Sequence, residues 1–391
     1  MTRFLAAATI LIFTGCSLFV GCSPAPTVVR APSPKVRPLV DVEPSPAPDA
    51  VARFIAGLPG GSGSPLRDLE GDPAWVAHQR DSDSDWFDLL TNRLPVMRAF
   101  GDQELNPVHA SKTLLYAFGG PDIITARALF PAMDNYILIG LEPAGTVPGV
   151  ERLRERPLET VLPRFRMTLD SVLRRSFFIT REMDSQLRSQ ITDGVLPVML
   201  AELVRSGHTI EGVRHVRILP DGTLATRDPA EPWNSFTNQS SAIRFHAGNP
   251  AETKTLLYVS ANLMSPAFDR NEGLRKFVAA QRGATGFFKA TSYTVHQAQF
   301  AGIRDTILDT CSAVVQDDSG VPYRLFDQKS WAVQLYGGYE KPYGSFSFRE
   351  QPDLRQAYAA GARQLNFRIG YGFSKVPSNL LVARRRQAPG I

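Results

Sequence analysis

Cysteine is nearly absent: the 391 residues hold three, at Cys16, Cys22 and Cys311. There is no C-x-x-C pair, and the six histidines are scattered without H-x-x-x-H spacing. The chain therefore lacks the ligand spacing of a zinc site, and no metal centre is expected. The P-loop, the G-x-G-x-x-G turn and the G-x-S-x-G elbow are missing as well. No helix-turn-helix or zinc-finger pattern is present, so nucleic acid is not an expected partner. Beyond the N-terminus no apolar run is long enough to span a bilayer. Charge of neither sign dominates: 43 basic against 38 acidic residues leave a net +5, spread along the chain. The densest basic run, Arg384-Arg385-Arg386, reads as a solvated tail, with contact to anionic lipid or nucleic acid as the sharper alternative.

What is present begins with a targeting segment over residues 1–22. Arg3 supplies the positive charge and Phe4 to Val20 is largely apolar. The segment ends in Gly21-Cys22-Ser23. This resembles a bacterial lipoprotein signal, in which the cysteine after a small residue is lipidated and becomes the mature N-terminus. Cys22 is the expected lipidation site; Phe13-Thr14-Gly15-Cys16 offers a second candidate. Phe three residues before either cysteine departs from the usual Leu, so ordinary secretory cleavage or an uncleaved anchor stays open. The resemblance implies a periplasm-facing envelope protein attached to a membrane through acyl chains such as palmitate. Once one cysteine is lipidated, Cys311 has no obvious partner and reads as a small buried hydrophobe. Residues 23–72 are rich in Pro and Ala and read as a disordered, polyproline-like tether.

The remainder has globular composition, with 43% hydrophobic and 21% charged residues, enough for a sizeable core. Thr113 to Phe118 is a short apolar run stopped by Gly119-Gly120. Pro121 and Asp122 suit a helix start, and Ile123 to Phe130 continues it until Pro131. Tyr136 to Leu141 is a second apolar run, closed by Glu142. Strand, glycine turn, helix, strand is a βαβ unit and predicts parallel pairing. At Lys254 the chain repeats K-T-L-L-Y, identical to Lys112 to Tyr116. Strand, helix and strand follow again, through Leu274 to Arg282 and Gly286 to Ala290. That shared sequel raises an internal duplication as one explanation and two unrelated buried strands as the other. Asp221-Gly222 between alternating runs predicts a hairpin. Phe177 to Met183 leads into a further predicted helix. Phe300 to Cys311 and Leu354 to Ala362 read as helices. Ala313 to Gln316, Trp331 to Tyr336 and Leu365 to Gly370 read as strands.

The expected fold class is α/β: a Rossmann-like mixed or parallel sheet in two halves. The halves span 73–150 and 245–391, and 151–244 is a helical connecting segment with a hairpin. Ligand sites of such sheets lie beyond the C-terminal ends of the strands. Three groups of residues fall there. Asp122 follows the first glycine turn, and Glu142 stands about twenty positions later, where an acidic residue can bind ribose hydroxyls. Asp317, Asp318 and Ser319 follow a short apolar strand, where paired carboxylates do acid–base work, hold a cation, or simply make a solvated turn. Lys289 and His296 follow another strand end. A Ser–His–Asp set from Ser319 or Ser260, His296 and Asp317 can be drawn, although no elbow supports it. No cofactor follows from these patterns.

Taken together, F-G-G-P-D, Y-I-L-I-G-L-E-P-A-G, Q-D-D-S-G-V-P-Y and L-Y-G-G-Y resemble a family of bacterial envelope proteins without an assigned activity. The resemblance covers roughly Pro73 to Ala383. It implies an exported α/β body and carries over no functional residue. Three functions are compatible with the residues: a lipoprotein binding a polar small molecule or cell-wall fragment, a hydrolase using the aspartate pair, or a scaffold for protein partners.

Overall fold

The apolar runs assemble into one sheet. The computed structural model describes residues 39–106, 111–175, 193–228, 239–373 and 376–386. Residues Val36–Ile391 form one compact unit. The signal segment with Cys16 and Cys22, the first part of the tether, and the predicted helix after Phe177 lie outside the described residues.

The strands are β1 (Thr113–Ala117), β2 (Asn135–Gly140), β3 (Thr209–Ile218), β4 (Leu224–Thr226), β5 (Gln239–His246), β6 (Lys254–Ser260), β7 (Thr285–Phe288), β8 (Ala313–Gln316), β9 (Trp331–Gly337) and β10 (Asn379–Arg385). Their order across the sheet is β4-β3-β5-β6-β2-β1-β7-β8-β10-β9. The five central strands, β6 to β8 in that order, run parallel. Antiparallel strands extend the sheet on both sides. The protein is therefore α/β with a ten-stranded mixed sheet. The central strands are buried on both faces, as their continuous apolar composition requires.

The two K-T-L-L-Y copies sit on either side of β2. Leu114 and Leu256 both pair with Tyr136, and Tyr116 and Tyr258 both pair with Leu138. Because strand side chains alternate, Leu114, Tyr116, Leu256 and Tyr258 enter one core. Leu115 and Leu257 enter the other.

Four expectations change. The tether does not extend to residue 72: Ala47–Ile55 is a helix that buries Val51, Ala52, Phe54 and Ile55. Its prolines stand at the start, where a missing amide donor costs nothing. Second, 151–244 is not only a helical link, because β3, β4 and β5 lengthen the same sheet. Third, Leu365 to Gly370 is not a strand; the chain makes only one bridge there, Arg363 to Tyr336. Fourth, the arginine run is not a free tail. Arg384 and Arg385 end β10, which lies between β8 and β9. The Arg385 guanidinium sits 4.7 Å from the centre of the Trp331 ring. Among the described residues no helix is long and apolar enough to cross a membrane.

Candidate functional site

The direction in which strands are added reverses between β1 and β7. From β1 the chain moves to β2 and β6, then crosses back to β7 and β8. Crevices at such reversals open beyond the strand C-termini. The residues that follow β1, β2, β7 and β8 meet on this rim, and they are Asp122, Glu142, Lys289 and the Asp317-Asp318-Ser319 turn.

Phe118 leaves β1 with φ 62°, in the left-handed region that costs an ordinary side chain energy. Gly119 follows because the Tyr116 ring closes over it: a Cβ there would lie 2.7 Å from ring carbons. This close approach sets Asp122 over the strand end. Asp122 does not cap the Ile123–Leu129 helix with its side chain. Its Oδ2 instead accepts from the Tyr116 hydroxyl at 2.8 Å and from Lys289 Nζ at 2.5 Å. Lys289 also donates to Thr125 Oγ1 at 3.1 Å. Both members of the ion pair have side chains 2% exposed. A pair buried this deeply holds only while both charges are present.

Glu202 supplies the missing cap. It comes from the Leu196–Arg205 helix, is fully buried, and accepts the Ile124 amide at 3.2 Å through Oε2. An internal carboxylate thus meets the helix start where a Rossmann-type site places phosphate. Burial, then the charge of Asp122, pushes the Glu202 carboxyl well above the ordinary range. Glu202 Oε1 and Asp122 Oδ1 are both buried without a hydrogen-bond partner among the described residues. Glu202 escaped the sequence reading, although it is the one charge inside V-M-L-A-E-L-V. A lone acid in an apolar helix was the available signal.

The aspartate pair faces inward and is not a solvated turn. Asp317 Oδ1 accepts from the Ser319 amide at 3.0 Å and its hydroxyl at 2.5 Å. Its Oδ2 accepts from the Ala290 amide at 2.8 Å. Burial raises the Asp317 carboxyl, while these donors and Lys289 oppose the rise. Asp318 Oδ1 accepts from Asn379 Nδ2 at 2.9 Å, and its Oδ2 accepts a short hydrogen bond from the Tyr293 hydroxyl. Burial, then the neighbouring Asp317, pushes Asp318 up to about 7. All four carboxylate oxygens have donors within the protein. The pair therefore braces the loop after β7 against β8 and β10, with little capacity left for a cation or a substrate.

His296 lies beside this turn, edge-on to Tyr293 with ring centres 5.2 Å apart. Burial, then Arg349, lowers it to about 4, so the ring is neutral at ordinary pH. It makes no hydrogen bond to Ser319 or Asp317 among the described residues. Ser319 Oγ instead donates to Asp317 and accepts the Thr291 amide. The Ser–His–Asp arrangement is not formed. Nor, among the described residues, do three His, Cys, Asp or Glu side chains converge in a group that could hold a metal ion.

Glu142 stands apart, across β1. Tyr258, the counterpart of Tyr116 in the repeated pentapeptide, donates to the Glu142 carbonyl at 2.9 Å, and its hydroxyl lies 3.5 Å from Oε2. The repeat thus places one tyrosine hydroxyl against Asp122 and its counterpart against Glu142. A Cβ on Gly120 would meet only Glu142 Oε2, at 3.9 Å. The half-exposed lip beside it carries Leu141 and Met264, 62% and 39% exposed.

The rim also concentrates backbone strain. Among the described residues the non-glycine positions with positive φ are Phe118, Ala290, Ser292 and Tyr293. One follows β1 and three follow β7. Tyr371 holds the second group: its hydroxyl accepts the Ser292 amide at 3.0 Å and donates to the Ala290 carbonyl at 3.1 Å. Its ring stacks between Tyr293 and Tyr343, with centres 6.1 and 5.3 Å away. No family model, curated protein or solved structure matches this chain.

Proposed function

We propose that the protein is a lipid-anchored bacterial envelope protein whose Rossmann-like α/β body binds a polar small molecule or cell-wall fragment. The binding site is the rim of β1, β2 and β7, with Glu142 and the Gly119-Gly120 turn as its polar wall and floor. One observation carries the reading: all the left-handed non-glycine residues of the described chain gather where the strand order reverses. Each costs on the order of 1–3 kcal/mol and persists only where surrounding structure enforces it, typically at ligand clamps and active sites. The parallel order β6-β2-β1-β7-β8 supports the Rossmann-like comparison, since it places this rim at the switch point.

The hydrolase reading loses ground because Asp317 and Asp318 spend their oxygens on internal donors. The scaffold reading loses ground because the tyrosines of the C-terminal third are mostly interior: Tyr336, Tyr339 and Tyr371 are at most 5% exposed. A dinucleotide is disfavoured by Glu202, whose buried carboxyl already occupies the Ile124 amide at the helix start, where a phosphate would bind.

Thermal-shift titration with amino acids and muropeptide stem peptides tests the site. A bound compound raises the midpoint by mass action. Glu142→Gln, a nearly isosteric change that keeps an acceptor for the Tyr258 hydroxyl, is expected to abolish that response and leave the protein folded, which the unliganded midpoint reports. An unaltered response in Glu142→Gln would remove the rim from consideration. Anchoring is tested separately. Mass spectrometry of the mature N-terminus is expected to find a diacylglyceryl group on Cys22, and Cys22→Ala is expected to release the protein from membranes. A mature terminus at any residue other than Cys22 refutes this, with Cys16 as the specific rival.

A further inference from the structure

A second cavity lies away from this rim, at the far edge of the sheet. Its volume is about 300 Å³, at the small end of the range for ligand pockets. One wall is the segment that continues the Leu94–Phe100 helix. Here Asn106 donates to the Gly101 carbonyl five residues back, so the turn Gly101–Leu105 is π-helical. Such turns are rare and recur at functional sites. The opposite wall is the stretch 363–367, pinned to β9 by two backbone bonds. The Arg363 amide donates to the Leu335 carbonyl at 2.9 Å, and the Gly337 amide donates to the Arg363 carbonyl at 2.8 Å.

We propose that this cavity is a saccharide-binding site that takes one pyranose unit. The rings of Phe100, Tyr336 and Phe367 form its apolar part. Phe100 meets Tyr336 edge-on at 5.0 Å and Phe367 at 5.2 Å, which fixes all three. A sugar ring offers an apolar C–H face that suits such a surface, and hydroxyls that need donors and acceptors around it. The cavity supplies both. Exposed amides of Gln103, Gln364 and Asn366 line its mouth. Glu104 lies deeper, and its Oε2 accepts the Tyr336 hydroxyl at 2.7 Å and Arg363 Nη1 at 2.9 Å. Its Oε1 takes no donor among the described residues and is free to accept a hydroxyl. Arg363 pairs with the Glu104 carboxylate, and Arg384 donates to the Glu104 carbonyl at 3.3 Å, so the acidic residue is held in place from two sides. This site does not depend on the β1/β7 rim and stands or falls without it.

Calorimetric titration of the full chain with glucose, N-acetylglucosamine, cellobiose and chitobiose tests the assignment. At least one sugar is expected to bind saturably. Phe367→Ala removes a stacking face and is expected to weaken it about tenfold or more. Gln364→Ala, at an exposed position that folding does not need, is expected to weaken it several-fold and keeps the test usable if Phe367→Ala fails to fold. No saturable heat with any of the four sugars overturns the proposal. A sugar response unchanged in Gln364→Ala and Phe367→Ala overturns the assignment to this cavity, whatever ligand the rim binds.

Discussion

Lys289→Met lowers the stability of the protein by about 3–5 kcal/mol, the usual result of removing one member of a buried ion pair. The side chain is of similar length, so the loss is electrostatic and not a packing defect. Without the ammonium, Asp122 keeps only the Tyr116 hydroxyl on Oδ2, in a site 2% exposed. Glu202 and Asp317 stand close enough for each to perturb its neighbours, and Lys289 is the cation that offsets them. The second half of the argument is a rescue. Asp122→Asn neutralises the stranded charge, so Lys289→Met combined with Asp122→Asn is expected to be more stable than Lys289→Met alone. Urea unfolding of the four proteins completes the double-mutant cycle. A loss below about 1 kcal/mol in the single variant, the value of an exposed pair, would mean that the pair is not desolvated as the structure has it. Strict additivity would mean that the two residues do not act on each other.

The two partners in that cycle are each visible in the amino-acid order, but their contact is not. Lys289 and Asp122 stand directly beyond apolar runs, where strand ends place polar groups on a rim, and this much can be read locally. Their meeting depends on β7 lying beside β1, a contact between residues far apart in the chain. Apolar runs say that a strand is buried; they do not say which strand is its neighbour. The same limit explains Leu365 to Gly370. Its alternation marks which side chains face inward, and Ile369 is 1% exposed as that pattern requires. Alternation cannot say whether a strand edge is available. Here β9 offers a single bridge. At β10 the error ran the other way, since three arginines drew attention from the L-L-V-A run before them. At Ala47–Ile55 the surrounding prolines hid V-A-R-F-I, a short amphipathic face that a helix buries well. The amino-acid order sets the aspartate pair just beyond an apolar run, but its role depends on donors from Ala290, Tyr293 and Asn379. Those donors converge only in three dimensions.

Glu202→Gln removes a pH dependence from the stability of the protein and makes it more stable at neutral pH. Burial and Asp122 raise the folded-state carboxyl well above the ordinary glutamate value of 4.5. Below that value Glu202 is protonated in folded and unfolded chains alike, and its contribution is fully present. As pH rises, the unfolded chain releases the proton first, while the folded chain keeps it. Stability is therefore lost from about pH 4.5 upward, through the folded pKa, at up to about 1.4 kcal/mol per pH unit for this one group. Glutamine carries no such proton. It also matches the local bonding, since its carbonyl can accept the Ile124 amide. Asp317 and Asp318 are raised too and tilt the wild-type curve in the same direction, so the difference between variant and wild type isolates Glu202. Urea midpoints measured from pH 4 to pH 8 are expected to lie close together at the acid end and to separate in favour of Glu202→Gln as pH rises. Parallel curves across that range would show that Glu202 ionises in the folded protein as it does in water. The proton assigned to it in the folded protein would then have to be abandoned.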